Sequence, residues 1–222
     1  MKEQAQKRTW QANIKRYVFL CAGLAVMAFG VAFSIRADLG TSPISSVPSA
    51  VSEFTPLTVG TATIIMHCVF IVLQILILRR RYQIVQLMQL PVAVVFGYLT
   101  DFAVWALQGV SYSSYWQQWL LCIAGILLVA LGVSFEVTAG VVVLAGEGLV
   151  LAICEAAPKL RFSYMKVAFD VTLVALACVL SLTFLHRLAG VREGTIAAAV
   201  CVGLVSKVFL RVLRSFEKRF LN

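Results

Sequence analysis

Glu147, in the run LAGEGLVLA, sets a carboxylate inside a segment otherwise fit for lipid. An ionisable side chain at membrane depth is expensive and marks a functional position by default. Gly146 and Gly148 flank it and let backbone and solute come close. About a hundred residues earlier, Ser42, Ser45 and Ser46 surround Pro43, a residue suited to the first turn of a helix. A helix start presents free N–H groups and a partial positive charge, which receive anionic groups. The serines therefore predict a site for an anionic group. Glu147 predicts one for a cationic group or a transferable proton.

Other polar residues interrupt the apolar runs. Lys166 and Asp170 stand four apart and can meet as an i,i+4 pair, either neutralising each other or lining a solute route. Asp101 counts toward one leaflet and Lys207 toward the other, as polar positions at opposite vestibules. Lys207 also shares a basic face with Arg211 and Arg214, which a snorkelling side chain would explain. His67 sits in mid-span beside Cys68, as a packed histidine or a proton relay. Arg36 and Asp38 flank the first serine-rich stretch and read as an interfacial pair.

The elements that must position these residues follow from apolar runs. The 222 residues are 61% hydrophobic and 13% charged, with a mean hydropathy of +0.92, the composition of a polytopic helical membrane protein. Six runs are long enough to span: 17–35, 57–78, 84–107, 119–137, 163–185 and 195–212. Two shorter segments, 44–54 and 144–156, lie between them. The first of these supplies only about 16 Å at ~1.5 Å per residue, against ~30 Å of hydrocarbon. Broken backbone at that depth is tolerated where protein or a water-lined cavity satisfies it. Both segments are therefore expected to be re-entrant arms.

Charge placement supports that topology. With re-entrant arms and a cytoplasmic N-terminus, 14 of the Lys and Arg residues fall inside and 3 outside. Two full crossings would put Arg79, Arg80 and Arg81 outside and change the split to 11 against 6. The bias of basic residues sets orientation, so both termini are expected in the cytoplasm. The same clustering at span ends explains the net charge of +9 and excludes nucleic acid as a partner.

A shift of 102 residues lays Gly23 on Gly125, Gly30 on Gly132, Ala37 on Ala139, Ser45 on Glu147, Glu53 on Glu155 and Pro56 on Pro158. With four residues gained later, Gly97 falls on Gly203 and Thr100 on Ser206. Each half is then span, arm, span, span, and three crossings invert the second half relative to the first. The predicted fold is all-α, six transmembrane helices plus two half-helices in two inverted-topology repeats. Its parts are a basic segment 1–16, a first repeat 17–107, an outer linker 108–118 anchored by Tyr112, Tyr115, Trp116 and Trp119, a second repeat 119–212 and a basic tail 213–222.

The six cysteines are scattered singly, with no metal-ligand spacing and no disulfide framework. No P-loop, zinc helix or nucleophile elbow is present, so catalysis, a metal and a cofactor are not expected. The leading expectation is a secondary transporter of a small polar or zwitterionic solute, proton-coupled through Glu147, with its site at the midplane between the arms. A channel-like pore and a non-transporting accessory subunit are the alternatives, and a homo-oligomer is left open.

At LGTSPISSVPSAVS, LAGEGLVLA and GVREGT the chain resembles the bacterial YczE/YyaS/YitT-type integral membrane proteins, over nearly its whole length. Leu39, Gly40, Thr41, Ser42 and Pro43 carry the most specific part. The resemblance implies a small multispan protein of the bacterial inner membrane and names no solute.

Overall fold

A computed structural model describes the backbone of residues 10–216 and the side chains of residues 14–213. Lys2, Lys7, Arg8, Lys218 and Arg219, and the side chain of Arg214, lie outside the described residues. Within them the regular structure is wholly helical. In chain order the α-helices are α1 (Trp10–Ala37), α2 (Pro43–Phe54), α3 (Val59–Leu78), α4 (Gln89–Ala106), α5 (Tyr115–Ala139), α6 (Ala145–Ala156), α7 (Phe162–Leu185) and α8 (Glu193–Phe216). Two 3-10 turns, Arg79–Arg81 and Ile84–Met88, join α3 to α4.

Six of the helices are long and apolar enough to cross a membrane, so the chain has the make-up of a multi-pass membrane protein. α2 and α6 have 12 residues each, about 18 Å at ~1.5 Å per residue, and fall short. Long, short, long, long is thus the element order of each half.

α1 and α5 form the central pair and run antiparallel. A Cβ on Gly23 would lie 3.1 Å from the Gly132 carbonyl, and one on Gly30 would lie 2.9 Å from that of Gly125. Small residues let two backbones approach this closely, which drives helix association where water does not. The ends are tied too. Arg16 donates to the Ala139 carbonyl at 2.9 Å, and Gln118 donates to that of Ala37 at 3.1 Å.

Around this pair α4 packs on α1, α8 on α5, α2 on α7 and α3 on α6. Exchanging the halves, α1 with α5 and so on, maps each of these pairings onto another or onto itself. Backbone geometry follows the same exchange. Asp38 and Gly140, 102 residues apart, both take left-handed conformations after α1 and α5, with φ of 53° and 59°. Glycine adopts that region freely and aspartate tolerates it.

Candidate functional site

The two short helices begin at the same place. Ser42, Pro43 and Ser45 from the start of α2, and Leu144 and Glu147 from the start of α6, line one cavity of about 260 Å³. α3 contributes Thr63 and His67, α5 contributes Glu136, α7 contributes Lys166 and Asp170, and α8 contributes Ser206. The rest of the wall is apolar, from Met27, Val31, Phe96, Val129, Val133 and Val202 among others.

Local sequence explains the two starts. Pro43 occupies the first turn of α2, where its missing N–H is no loss. Ser42 is the residue before that turn, but its side chain does not cap it. Its hydroxyl meets that of Ser45 at 3.1 Å, and the Ser46 hydroxyl donates to the Pro43 carbonyl at 2.7 Å. At α6 the residue before the helix is Leu144, which has no capping group. The buried Glu136 of α5 substitutes for one: its Oε1 accepts from the Leu144 N–H at 2.6 Å.

Lys166 and Asp170 form the expected pair, with Nζ and Oδ1 2.7 Å apart. Both face the cavity, so the pair lines the site besides neutralising itself. Glu147 has no hydrogen bond or ion pair among the described residues. Lys166 and Asp170 act on it through space with opposite signs. His67 is 1% exposed, lies near Phe70 and Phe96, and its Nδ1 has no hydrogen-bond partner.

Other expected residues stand elsewhere. Ser46 is buried in α2 behind the lining. Gly146 and Gly148 serve helix packing and do not face the cavity. A Cβ on Gly146 would strike the Ile44 side chain, and one on Gly148 would lie 2.7 Å from Gln89 Nε2. That glutamine accepts from Gln74, which also donates to the Ala145 carbonyl at 3.1 Å. The glycines thus make room for a buried amide pair that ties α6 to α3 and α4.

Asp101 caps the start of α3, with its oxygens 2.6 Å from Thr58 Oγ1 and 2.7 Å from the Gly60 N–H. It is away from the cavity. Lys207 is exposed and is not part of the lining either. Arg36 and Asp38 do not pair with each other. Arg36 donates to the Val104 carbonyl, and Asp38 meets Arg192 at 3.5 Å.

Sequence reasoning missed Glu136. It stands at the end of an apolar run, and an acid there carries the same signal that singled out Glu147. No group of three or more metal-ligating side chains occurs among the described residues.

Residues 14–211 match the model of a family described as a family of unknown function, DUF6198. No curated protein and no solved structure matches the chain.

Proposed function

We propose that this chain, which belongs to the DUF6198 family, is a secondary transporter of a small polar or zwitterionic solute. The matched family carries no function, so the reading rests on the cavity. Two short helices aim their N-terminal ends into one space that also holds Glu147 unpaired. Discontinuous helices meeting at such a site are the usual construction of transporters built from inverted repeats.

The arms are taken as re-entrant and the halves as inverted. Two ends of the molecule can be told apart by their ties, and each arm starts and finishes at one of them. Asp38 before α2 meets Arg192, and Glu53 near its end meets Arg187 at 2.8 Å, both arginines belonging to the α7–α8 loop. At the other end Arg16 holds the finish of α5, and Ala156 closes α6 beside Arg79, Arg80 and Arg81. The antiparallel α1 and α5, first helices of the two halves, support the inversion.

One asymmetry favours alternating access over a fixed pore. α3 and α4 pack tightly, so that a Cβ on Gly97 would lie 2.7 Å from the Gly60 carbonyl. Their counterparts α7 and α8 barely touch, and a Cβ on Gly203 would meet open space. One gate is shut while its repeat-mate stands apart.

The likeness to YczE/YyaS/YitT-type proteins, a bacterial inner-membrane location and cytoplasmic termini belong to the same proposal. Purified protein in proteoliposomes should take up solute saturably, and Glu147→Gln should abolish the flux while leaving the protein folded. Undiminished flux in that variant would remove Glu147 from the mechanism. Flux that never saturates would point to a channel instead.

A further inference from the structure

We infer that the cavity ligand is a small zwitterion with an apolar body, its carboxylate on the first turn of α2 and its ammonium group against Glu147. This deepens the transport reading and rests on it for the choice of cavity.

The argument starts from a difference between two matching helix starts. At α6 the protein supplies its own acceptor, because a Glu136 carboxyl oxygen accepts from the Leu144 N–H at 2.6 Å. The shift of 102 that relates the halves places Ser34 where Glu136 stands. The Ser34 hydroxyl donates to the Gly30 carbonyl at 3.1 Å and brings no charge. Ser42 does not cap α2 with its side chain. At the start of α2 Pro43 has no N–H and the Ser45 N–H already donates to the Ser42 carbonyl at 2.9 Å, which leaves the Ile44 N–H and the Ser42–Ser45 hydroxyl pair with no carboxyl group to serve. A ligand carboxylate would do there what Glu136 does at α6.

His67 is an independent pointer to the same group. It reaches the cavity from α3, is 1% exposed, and its Nδ1 has no hydrogen-bond partner. Buried polar atoms are normally satisfied, and the exceptions call for an explanation. Nδ1 is sealed off from the cavity, so the nitrogen that can serve a carboxylate oxygen is Nε2, which likewise has no hydrogen bond among the described residues and can carry the proton of a neutral imidazole.

Charge matching selects the ligand class. Lys166 and Asp170 neutralise each other at 2.7 Å, and Glu136 is engaged at α6. Glu147 makes no hydrogen bond or ion pair among the described residues, and Lys166 and Asp170 act on it only through space and with opposite signs. A simple anion would satisfy α2 and His67 but face Glu147. A simple cation would satisfy Glu147 and leave α2 and His67 unmatched. A zwitterion pairs both ends. Its body would contact Met27, Val31, Val129, Val133 and Val202, in a space of about 260 Å³. At ~30 Å³ per water that is room for roughly nine waters, and so for one small molecule.

Equilibrium binding to the full chain in detergent tests this with L-leucine and its two single-charge analogues. These are 3-methylbutan-1-amine, which lacks the carboxylate, and 4-methylpentanoate, which lacks the amine. Leucine should bind, and each analogue should bind at least about tenfold more weakly, since a site built for a polar group rejects the analogue lacking it. Ser45→Ala and His67→Ala should weaken leucine and leave the amine unchanged. Glu147→Gln should weaken leucine and strengthen 4-methylpentanoate. Glu155→Gln, exposed and remote from the lining, should change nothing. An amine or acid that matches leucine on the unmodified protein would overturn the inference, and that comparison needs no variant to fold. So would failure of leucine, valine, methionine and phenylalanine alike to bind. Flux measured separately divides the claims. Leucine binding without flux upholds the ligand class and removes transport; flux of the amine without leucine binding does the reverse.

Discussion

Glu136 and Glu147 are both acids in apolar surroundings, yet they do different work. Glu136 holds the start of α6 through the Leu144 N–H, whereas Glu147 makes no such bond. Glu136→Leu leaves that N–H unsatisfied and should lower stability by about 1–3 kcal/mol, read as a drop in the melting temperature in detergent. Glu136→Gln keeps an acceptor oxygen in place and should melt close to the unmodified protein. Equal melting of both variants would show that the bond does not hold α6. Much of the cavity was legible from residue types alone, because Ser42, Ser45, Glu147, Lys166, Asp170 and His67 are polar interruptions of apolar runs and all six line it. Spacing along one helix cannot say which way that helix is rotated. Asp101 therefore turned out to cap α3 and Lys207 to lie on the outside. Gly146 and Gly148 were misread for a related reason: what they approach, Ile44 and the Gln74–Gln89 pair, comes from other helices.

At the scale of elements, the lengths of the apolar runs foretold several helices to within a residue or so. The expected 163–185 is observed as Phe162–Leu185, and 144–156 as Ala145–Ala156. α1 instead begins at Trp10, ahead of the apolar run, because helical hydrogen bonding continues past the hydrocarbon while the apolar signal stops there. The α1–α5 contact depends on glycines whose carbonyl partners lie within 3.1 Å of an added Cβ. Gly30→Leu should therefore destabilise by at least about 1–3 kcal/mol through overpacking, whereas the same change at exposed, open Gly203 should be tolerated. Melting of the two variants in detergent compares them. The short helices are open to a sidedness test in a cysteine-free background. Asp38→Cys and Glu53→Cys bracket α2 and should both react with an impermeant thiol reagent from outside the cell. Val141→Cys and Glu155→Cys bracket α6 and should both react only from inside. Labelling of either pair from opposite faces would make that helix a full crossing and remove the inverted repeat.

On the proposed inverted-repeat reading the whole molecule is two matching halves in unequal arrangements. With α3 and α4 packed together and α7 and α8 apart, that reading predicts a second state in which the two pairs exchange roles. Thr100 and Ser206 occupy matching places on α4 and α8 under the shift that relates the halves, and would report the two proposed gates. Both are buried and both donate to a carbonyl of their own helix, Ser206 to Gly203 at 3.2 Å and Thr100 to Phe96 at 2.8 Å, but only Ser206 lines the cavity. In resting protein Ser206→Cys should therefore react faster with a small polar thiol reagent than Thr100→Cys. In proteoliposomes carrying out flux the pattern should shift, with Thr100→Cys gaining reactivity and Ser206→Cys losing it in proportion. A channel predicts no such exchange, because its two mouths are open together. A rigid accessory subunit predicts that Thr100→Cys stays unreactive under every condition. Thr100→Cys that remains silent while solute moves would show that the looseness of α7 and α8 is a fixed property of the second half and no part of a transport cycle.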